Sequence, residues 1–225
     1  MEYTVGYLRF KLMPTQDSYC LTGYKYDIND NVIIPNEVNG LPVTRISRNT
    51  FAGCAKIKHV TIPATVFEIG ERAFQQCINL KSVKIEGDVV EIYREAFRDC
   101  SRLRHFTANA IKLASTSTFR NCKNLCFLDC TFEKRICEGS FCYCESLESI
   151  RIGANAVVLN DAFEGCMKMR TVVFDGDATI DKKTETFMKK RHVYCKSWST
   201  LADWAYDGVA VFIDHTFPMF GFQYR

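Results

Sequence analysis

Cysteine and histidine are the residue types in this chain best suited to metal or nucleophilic chemistry: it has twelve Cys and four His in 225 residues. The densest group is Cys122, Cys126, Cys130, Cys137, Cys142 and Cys144. Zinc would need four thiolates or imidazoles converging tetrahedrally, so this group is the candidate metal site. The histidines are His59, His105, His192 and His215. The chain has no Gly-rich phosphate loop, HExxH, GxSxG or CxxC. It therefore offers no catalytic constellation, and the expectation is a protein that is not an enzyme and needs no cofactor.

The elements that carry these residues are set by one phrase, repeated. A Phe follows a small residue, Cys stands three places on, and apolar residues follow at six, nine and eleven places. The Phe–Cys pairs are Phe51–Cys54, Phe74–Cys77, Phe97–Cys100, Phe119–Cys122, Phe141–Cys144 and Phe163–Cys166. The apolar triplets are Ile57, Val60, Ile62; Leu80, Val83, Ile85; Leu103, Phe106, Ala108; Leu125, Leu128, Cys130; Leu147, Ile150, Ile152; and Met169, Val172, Phe174. The period, roughly 22 to 23 residues, is that of a leucine-rich repeat. One such unit cannot bury its own apolar face, so neighbouring coils must stack. The fold class expected is a repeat solenoid with stacked parallel strands. The alternation in Leu80 to Ile85 marks a half-buried strand, and a second inward side runs through Val43–Ile46, Val66–Ile69 and Val89–Ile92. The remaining linkers are too short for more than a 3₁₀ turn.

That frame bears on the chemistry. Cys122, Cys130 and Cys144 point inward while Cys126 and Cys142 point elsewhere, so zinc would require the coil to break. His59 and His105 lie two coils apart, ~10 Å by strand spacing, too far to share a metal. Neighbouring ladder Cys lie within disulfide range, but every rung carries one and no pairing pattern is visible, so free buried thiols are expected. Cys126 aligns with Lys58, Lys81 and Arg104 and is the exposed thiol. Near Thr131 the pattern loosens, with Glu133 standing where Val66 or Val89 would be.

Three regions are expected. Residues 1–31 form an N-terminal β-hairpin cap, built from an alternating run Tyr3–Leu12 and a second run Tyr19–Tyr26. Residues 32–186 form the array, whose first, degenerate unit carries the Asn39-Gly40-Leu41-Pro42 turn. Residues 187–225 form a C-terminal cap, with a helix over Trp198–Ala205, a strand over Val209–Ile213 and an aromatic tail from Phe217 to Arg225. Net charge is +3, which argues for neither nucleic acid nor an anionic membrane surface. No apolar run reaches the ~20 residues of a membrane span, and Met1–Leu12 lacks the apolar core of a signal peptide. The unpaired Cys suit an intracellular setting.

The run Ile62 to Ile85, Ile-Pro-x-x-Val-x-x-Ile-Gly-x-x-Ala-Phe-x-x-Cys-x-x-Leu-x-x-Val-x-Ile, resembles the BspA-like leucine-rich repeat family of bacteria and some protists. The first unit (Gly23-Tyr24 through Ile46) and the last (Val193–Ser197 with Leu201–Ala205) are similar to that family's end units, so the likeness covers about four-fifths of the chain. It implies a right-handed solenoid and, by association, cell-surface proteins that bind host matrix proteins or other cells. It brings no catalytic residues.

A protein partner is therefore expected on the strand face. Between the apolar positions the strands present Lys58, His59, Lys81, Lys84, Arg104, His105, Phe127 and Arg151, a set in which the first three coils form a basic ladder suited to an acidic surface. In that alignment the outward row of the fourth coil, Cys126, Phe127 and Asp129, lies beside Glu148, Ser149 and Arg151 of the fifth. The alternative is a structural element that self-associates through its caps and aromatic tail. Replacing Cys100 by Ser is expected to cost ~1–3 kcal/mol.

Overall fold

A computed structural model describes residues 2–188, 192–195 and 211–213. The chain winds into a β-solenoid of about seven turns. In order, the elements are β1 (Glu2–Val5), β2 (Leu8–Leu12), β3 (Tyr19–Tyr24), β4 (Asn31–Ile33), β5 (Glu37–Val38), β6 (Leu41–Ile46), β7 (His59–Ile62), β8 (Glu68–Ile69) and β9 (Ser82–Ile85). They continue with β10 (Val89–Ile92), β11 (His105–Ala114), β12 (Phe127–Ile136), β13 (Ser149–Ile152), β14 (Val157–Val158), β15 (Thr171–Phe174) and β16 (Thr179–Ile180). A short helix α1 (Lys182–Met188), then β17 (His192–Cys195) and β18 (Val211–Ile213), complete the described chain.

The strands form two parallel ladders. The first runs β4, β7, β9, β11 and β12, and continues from β13 through β15 and β17 to β18. The second runs β3, β6, β8, β10, β11, β12, β14 and β16. Elsewhere a coil contributes a separate short strand to each ladder, but β11 and β12 run through both.

The cap differs from the expected hairpin. Residues 3–12 do not form one strand: Gly6, at φ 59°, and Tyr7 turn the chain, so that β1 and β2 pair antiparallel. β2 then pairs antiparallel with β3, and β3 stacks parallel on β6. The Asn39-Gly40 turn closes the antiparallel pair β5–β6 with both residues at positive φ, the backbone a two-residue hairpin requires. In β4, Val32 stands opposite Val60 and the Ile34 N–H donates to the Thr61 carbonyl, so the degenerate first unit stacks in the same register as the full ones.

Between the ladders lies a column of aromatic rings. Tyr24, Phe51, Phe74, Phe97, Phe119, Phe141, Phe163 and Phe187 stack in succession with centroids 4.9–6.3 Å apart and planes within 18°. The residue before each Phe must be small because it is packed between coils; Ala73, Ala96, Thr118, Ser140 and Ala162 are all fully buried. Its carbonyl accepts the N–H of the Phe one coil earlier, as from Phe74 to Ala96 at 2.7 Å. The chain bends sharply on either side of the Phe. Positions two before it (Asn49, Arg72, Glu95, Ser117, Gly139, Asp161) and two after it (Gly53, Gln76, Asp99, Asn121, Tyr143, Gly165) all adopt φ between 56° and 72°.

Each ladder Cys has a defined job. The thiols of Cys77, Cys100, Cys122, Cys144 and Cys166 each donate to the carbonyl of the Phe one coil earlier, every one at 3.1 Å. Cys54 has no earlier Phe and lies against Tyr24, whose hydroxyl pKa is pushed up to about 12, by burial first and by its bond to Cys54 second. Cys20, Cys54, Cys77, Cys100, Cys122, Cys126, Cys130, Cys137, Cys142 and Cys144 carry free thiols.

The fourth coil corrects the sequence reading. Phe132, not Glu133, takes the inward place: it stands opposite Ile111 and Ile152, is fully buried, and meets the Phe141 ring edge-on at 5.3 Å. The repeat is a residue short there and the register of β11 against β12 shifts between Thr107 and Ala110, so counting from Phe119 lands one residue late. α1 was also unforeseen. Asp181 starts it by accepting the N–H groups of Lys183 and Thr184, an N-cap. The expected helix over Trp198–Ala205 and the aromatic tail from Phe217 lie outside the described residues.

Candidate functional site

The outward face of the first ladder gathers the predicted set, but treats its members differently. Lys58 is exposed and pairs with Asp30 at 3.0 Å. Lys84 pairs with Glu86 at 3.3 Å. His59 is hydrogen-bonded through Nδ1 to Ser82 Oγ at 2.7 Å. Arg151 is half-buried and its Nε reaches both oxygens of Asp175 at 3.1 Å. Of the five Lys and Arg in that set, three, Lys58, Lys84 and Arg151, have a carboxylate supplied from another turn or from the strand's own end. Arg151 also stands opposite Thr131 rather than Asp129, because of the register change at β12.

Lys81 and Arg104 remain. Both are exposed, and neither makes an ion pair among the described residues. With Arg102 and Asn124 they line a cleft of 380 Å³ that, among the described residues, no carboxylate lines. Arg102, missed by the strand-position reading because it sits on the turn before the strand, is held in place: its Nη1 donates to Asn79 Oδ1 at 2.8 Å, and Asn79 Nδ2 donates to the Ala55 carbonyl at 2.7 Å. Asn124 is fixed the same way, through Nδ2 to the Ser101 carbonyl at 2.6 Å. One coil beyond Arg104, Phe127 is 44% exposed and its ring lies 5.6 Å from that of His105. The backbone beneath is regular: the carbonyls of Lys58, Lys81 and Arg104 each accept two N–H groups from the next coil.

A larger hollow of 610 Å³, lined by Gly53, Gln76, Ile78, Asp99, Ser101, Asn121 and Lys123, follows the turns two and four places after each Phe. Its amide and carboxylate are already joined, Asn121 Nδ2 to Asp99 Oδ1 at 2.7 Å.

The cysteine cluster is dispersed. Cys122, Cys130, Cys142 and Cys144 are buried, Cys137 is half-buried and Cys126 is exposed. Cys142 does not point away from the core as expected: it is 1% exposed, its Sγ lying 3.6 Å from both Arg120 Nη1 and Glu164 Oε2. Among the described residues, no three His, Cys, Asp or Glu are placed to hold a metal ion. The ladder thiols resist ionisation. Burial pushes up Cys100, Cys122, Cys130 and Cys144, whereas for Cys77 the bond to Cys100 leads and burial follows. Thiolate is the reactive form, so these groups are inert.

One polar cluster was invisible in the sequence. Glu95 is buried, with Arg72 Nε at 2.6 Å, Arg98 Nη1 at 2.8 Å and Arg94 Nη2 at 3.5 Å. Burial opposes ionisation, but the bonds to Arg72 and Arg98 outweigh it and hold the Glu95 pKa below the ordinary range. It is a clip between adjacent coils.

The repeat geometry has known counterparts. A model described as the BspA type leucine-rich repeat region matches residues 44–170 in six copies, more than half of the chain. The chain belongs to the BspA-type leucine-rich repeat family. Among solved structures it is similar to a leucine-rich cell surface protein from Faecalibacterium prausnitzii, at 24% identity and a TM-score of 0.69, over 88% of this chain and 55% of that one. It is also similar to the leucine-rich repeat protein of T. pallidum, at 20% identity and TM-score 0.57, over 84% of this chain and 95% of that one. A leucine-rich repeat protein from Bacteroides ovatus matches at 20% identity and TM-score 0.57, over 94% of this chain and 57% of that one. The chain thus spans about half the length of the Faecalibacterium structure. No curated protein matches it. Family membership supports a protein-interaction repeat module, in a family and fold that are typically non-enzymatic. No helix of the described residues is long and apolar enough to cross a membrane.

Proposed function

We propose that this protein is a non-enzymatic binding module that meets a protein partner on the outward face of the first strand ladder, with Lys81 and Arg104 at the centre of contact. The observation that carries this reading is the cleft lined by three cations and an amide and, among the described residues, by no carboxylate, on a face where Lys58, Lys84 and Arg151 are each neutralised internally. A desolvated cation left without a partner costs free energy, so an acidic surface is the complement such a site selects, and it also speeds encounter. Phe127 adds apolar area beside it. A cell-surface setting is what the name of the Faecalibacterium relative suggests, and adhesion to another cell or to a host surface is what the family resemblance implies.

The test is a photoreactive amino acid placed at Ser82, on this face, and in a second variant at the exposed Arg94. The reading expects one partner, identified by mass spectrometry, to be joined at Ser82 and not at Arg94. Capture of that partner from position 94 alone would refute it.

A further inference from the structure

We infer that the element this face recognises is a short acidic peptide segment, two or three carboxylates long, followed by an apolar side chain that covers Phe127. The inference rests on the protein-binding reading above and specifies the ligand's chemistry.

Three features set the ligand's size and sign. Lys81, Arg102 and Arg104 share the cleft with, among the described residues, no carboxylate lining it. Arg102 is already oriented by Asn79, so its remaining donors are presented without further ordering, which lowers the entropy lost on binding. Arg104 and Lys81 stand on adjacent coils about 4.8 Å apart, which matches carboxylates on one short segment rather than on distant parts of a surface. An arginine guanidinium takes a carboxylate in two parallel hydrogen bonds, a geometry that favours it over an amide.

Acidic residues bound the basic stretch on both sides. Asp30 closes it beyond Lys58. At the other end come the exposed Asp129 and the half-buried Glu148. The positive stretch thus extends about 10 Å along the solenoid axis. A long polyanion, such as a nucleic acid or a sulfated glycan, would run past the cations into these carboxylates and be repelled. A peptide with a short acidic run would not. Immediately past Arg104 the next coil offers Phe127, 44% exposed and edged by His105. An apolar side chain following the acidic run would remove that ring from water.

The experiment uses the full chain and a fluorescein-labelled peptide containing Glu-Gly-Glu followed two residues later by Leu, read by fluorescence anisotropy at low and moderate salt. Four comparisons decide it: the same peptide with Gln for both Glu, the peptide with Ser for Leu, a heparin oligosaccharide as competitor, and the R104E and F127A variants, each verified as folded by its unaltered melting. Saturable binding that weakens at least tenfold for the Gln peptide and for R104E, and about threefold for the Ser peptide and for F127A, is expected. No saturation by the Glu peptide, equal binding of the Gln peptide, or full displacement by heparin at lower concentration would overturn the inference. The protein-binding reading would survive those results if the partner joined at Ser82 still lost its affinity for R104E, and would fall with them if it did not.

Discussion

Truncating Cys100 to Ala would remove a sulfur that is fully buried and donates to the Phe74 carbonyl at 3.1 Å. Three effects add. The sulfur is close to a methylene in size, and returning such a group to water costs about 0.8 kcal/mol. The gap it leaves between stacked coils adds roughly 0.5 kcal/mol, since neighbouring rungs hold the coil open. The thiol bond is a weak one, worth about 0.5 kcal/mol. The Phe74 carbonyl keeps its second donor, the Cys77 N–H at 3.2 Å, so nothing is orphaned. The expected loss is about 2 kcal/mol. Ser at the same place keeps a donor aimed at the same carbonyl, so its cost falls at the low end of the sequence-based range, about 1 kcal/mol. Urea melts of wild type, C100A and C100S under reducing conditions give these values directly. In a solenoid each repeat leans only on its neighbours, so a weakened central rung also broadens the transition. Ser more damaging than Ala, or Ala within error of wild type, would refute the carbonyl-bonded thiol as the reason for the ladder.

Three other expectations follow from the geometry. Replacing Glu95 by Ala removes the buried carboxylate that Arg72 and Arg98 share and is expected to cost about 2 kcal/mol, below the full value for a buried pair because both arginines are more than a third exposed. Because the folded pKa of Glu95 is depressed, its contribution is fully present above the ordinary carboxylate range and is lost as pH falls through the lowered value; wild type and Glu95→Gln should converge in thermal stability on acidification and differ most near neutral pH. Gly53 and Gly70 should separate backbone strain from crowding in chemical melts. Gly53→Ala meets nothing within 4 Å but sits at φ 70°, costing about 1 kcal/mol, whereas Gly70→Ala places Cβ 2.7 Å from the backbone of Ser47 and Arg48 and should cost about 3 kcal/mol. Native thiol titration should show a fast-reacting equivalent that Cys126→Ser removes, with the ladder thiols reacting only on unfolding.

The rungs were legible because each repeats one residue type in one environment. Phe51 through Phe163 and Cys54 through Cys166 each say the same thing in every coil, and the structure buries them all. Where the period slips, the sequence misleads: a repeat one residue short moved the inward place from Glu133 to Phe132, and no local pattern marks a slip. The pairing of the surface cations was hidden for another reason. Asp30 meets Lys58, and Asp175 meets Arg151, from 28 and 24 residues away, so a position in the repeat does not reveal which cations stay free. The Glu95 clip was hidden because its column holds Asn49, Arg72 and Ser117 elsewhere and has no repeated chemistry. The left-handed bends left a trace that could have been read: Asn49, Asp161, Gly139, Gly53, Asp99, Asn121 and Gly165 are residue types that tolerate that backbone.

The claim that the first ladder is the binding face is tested most directly by moving the same charge change between the two ladders. One variant reverses Lys81, Lys84 and Arg104 to Glu; the other reverses Lys112, Lys134 and Arg135, which lie on the second ladder in β11 and β12. The affinity of each for the partner joined at Ser82 is measured at one salt concentration. The account predicts that the first variant loses binding while the second stays within about threefold of wild type. Equal loss in both, or a greater loss in the second, would contradict it.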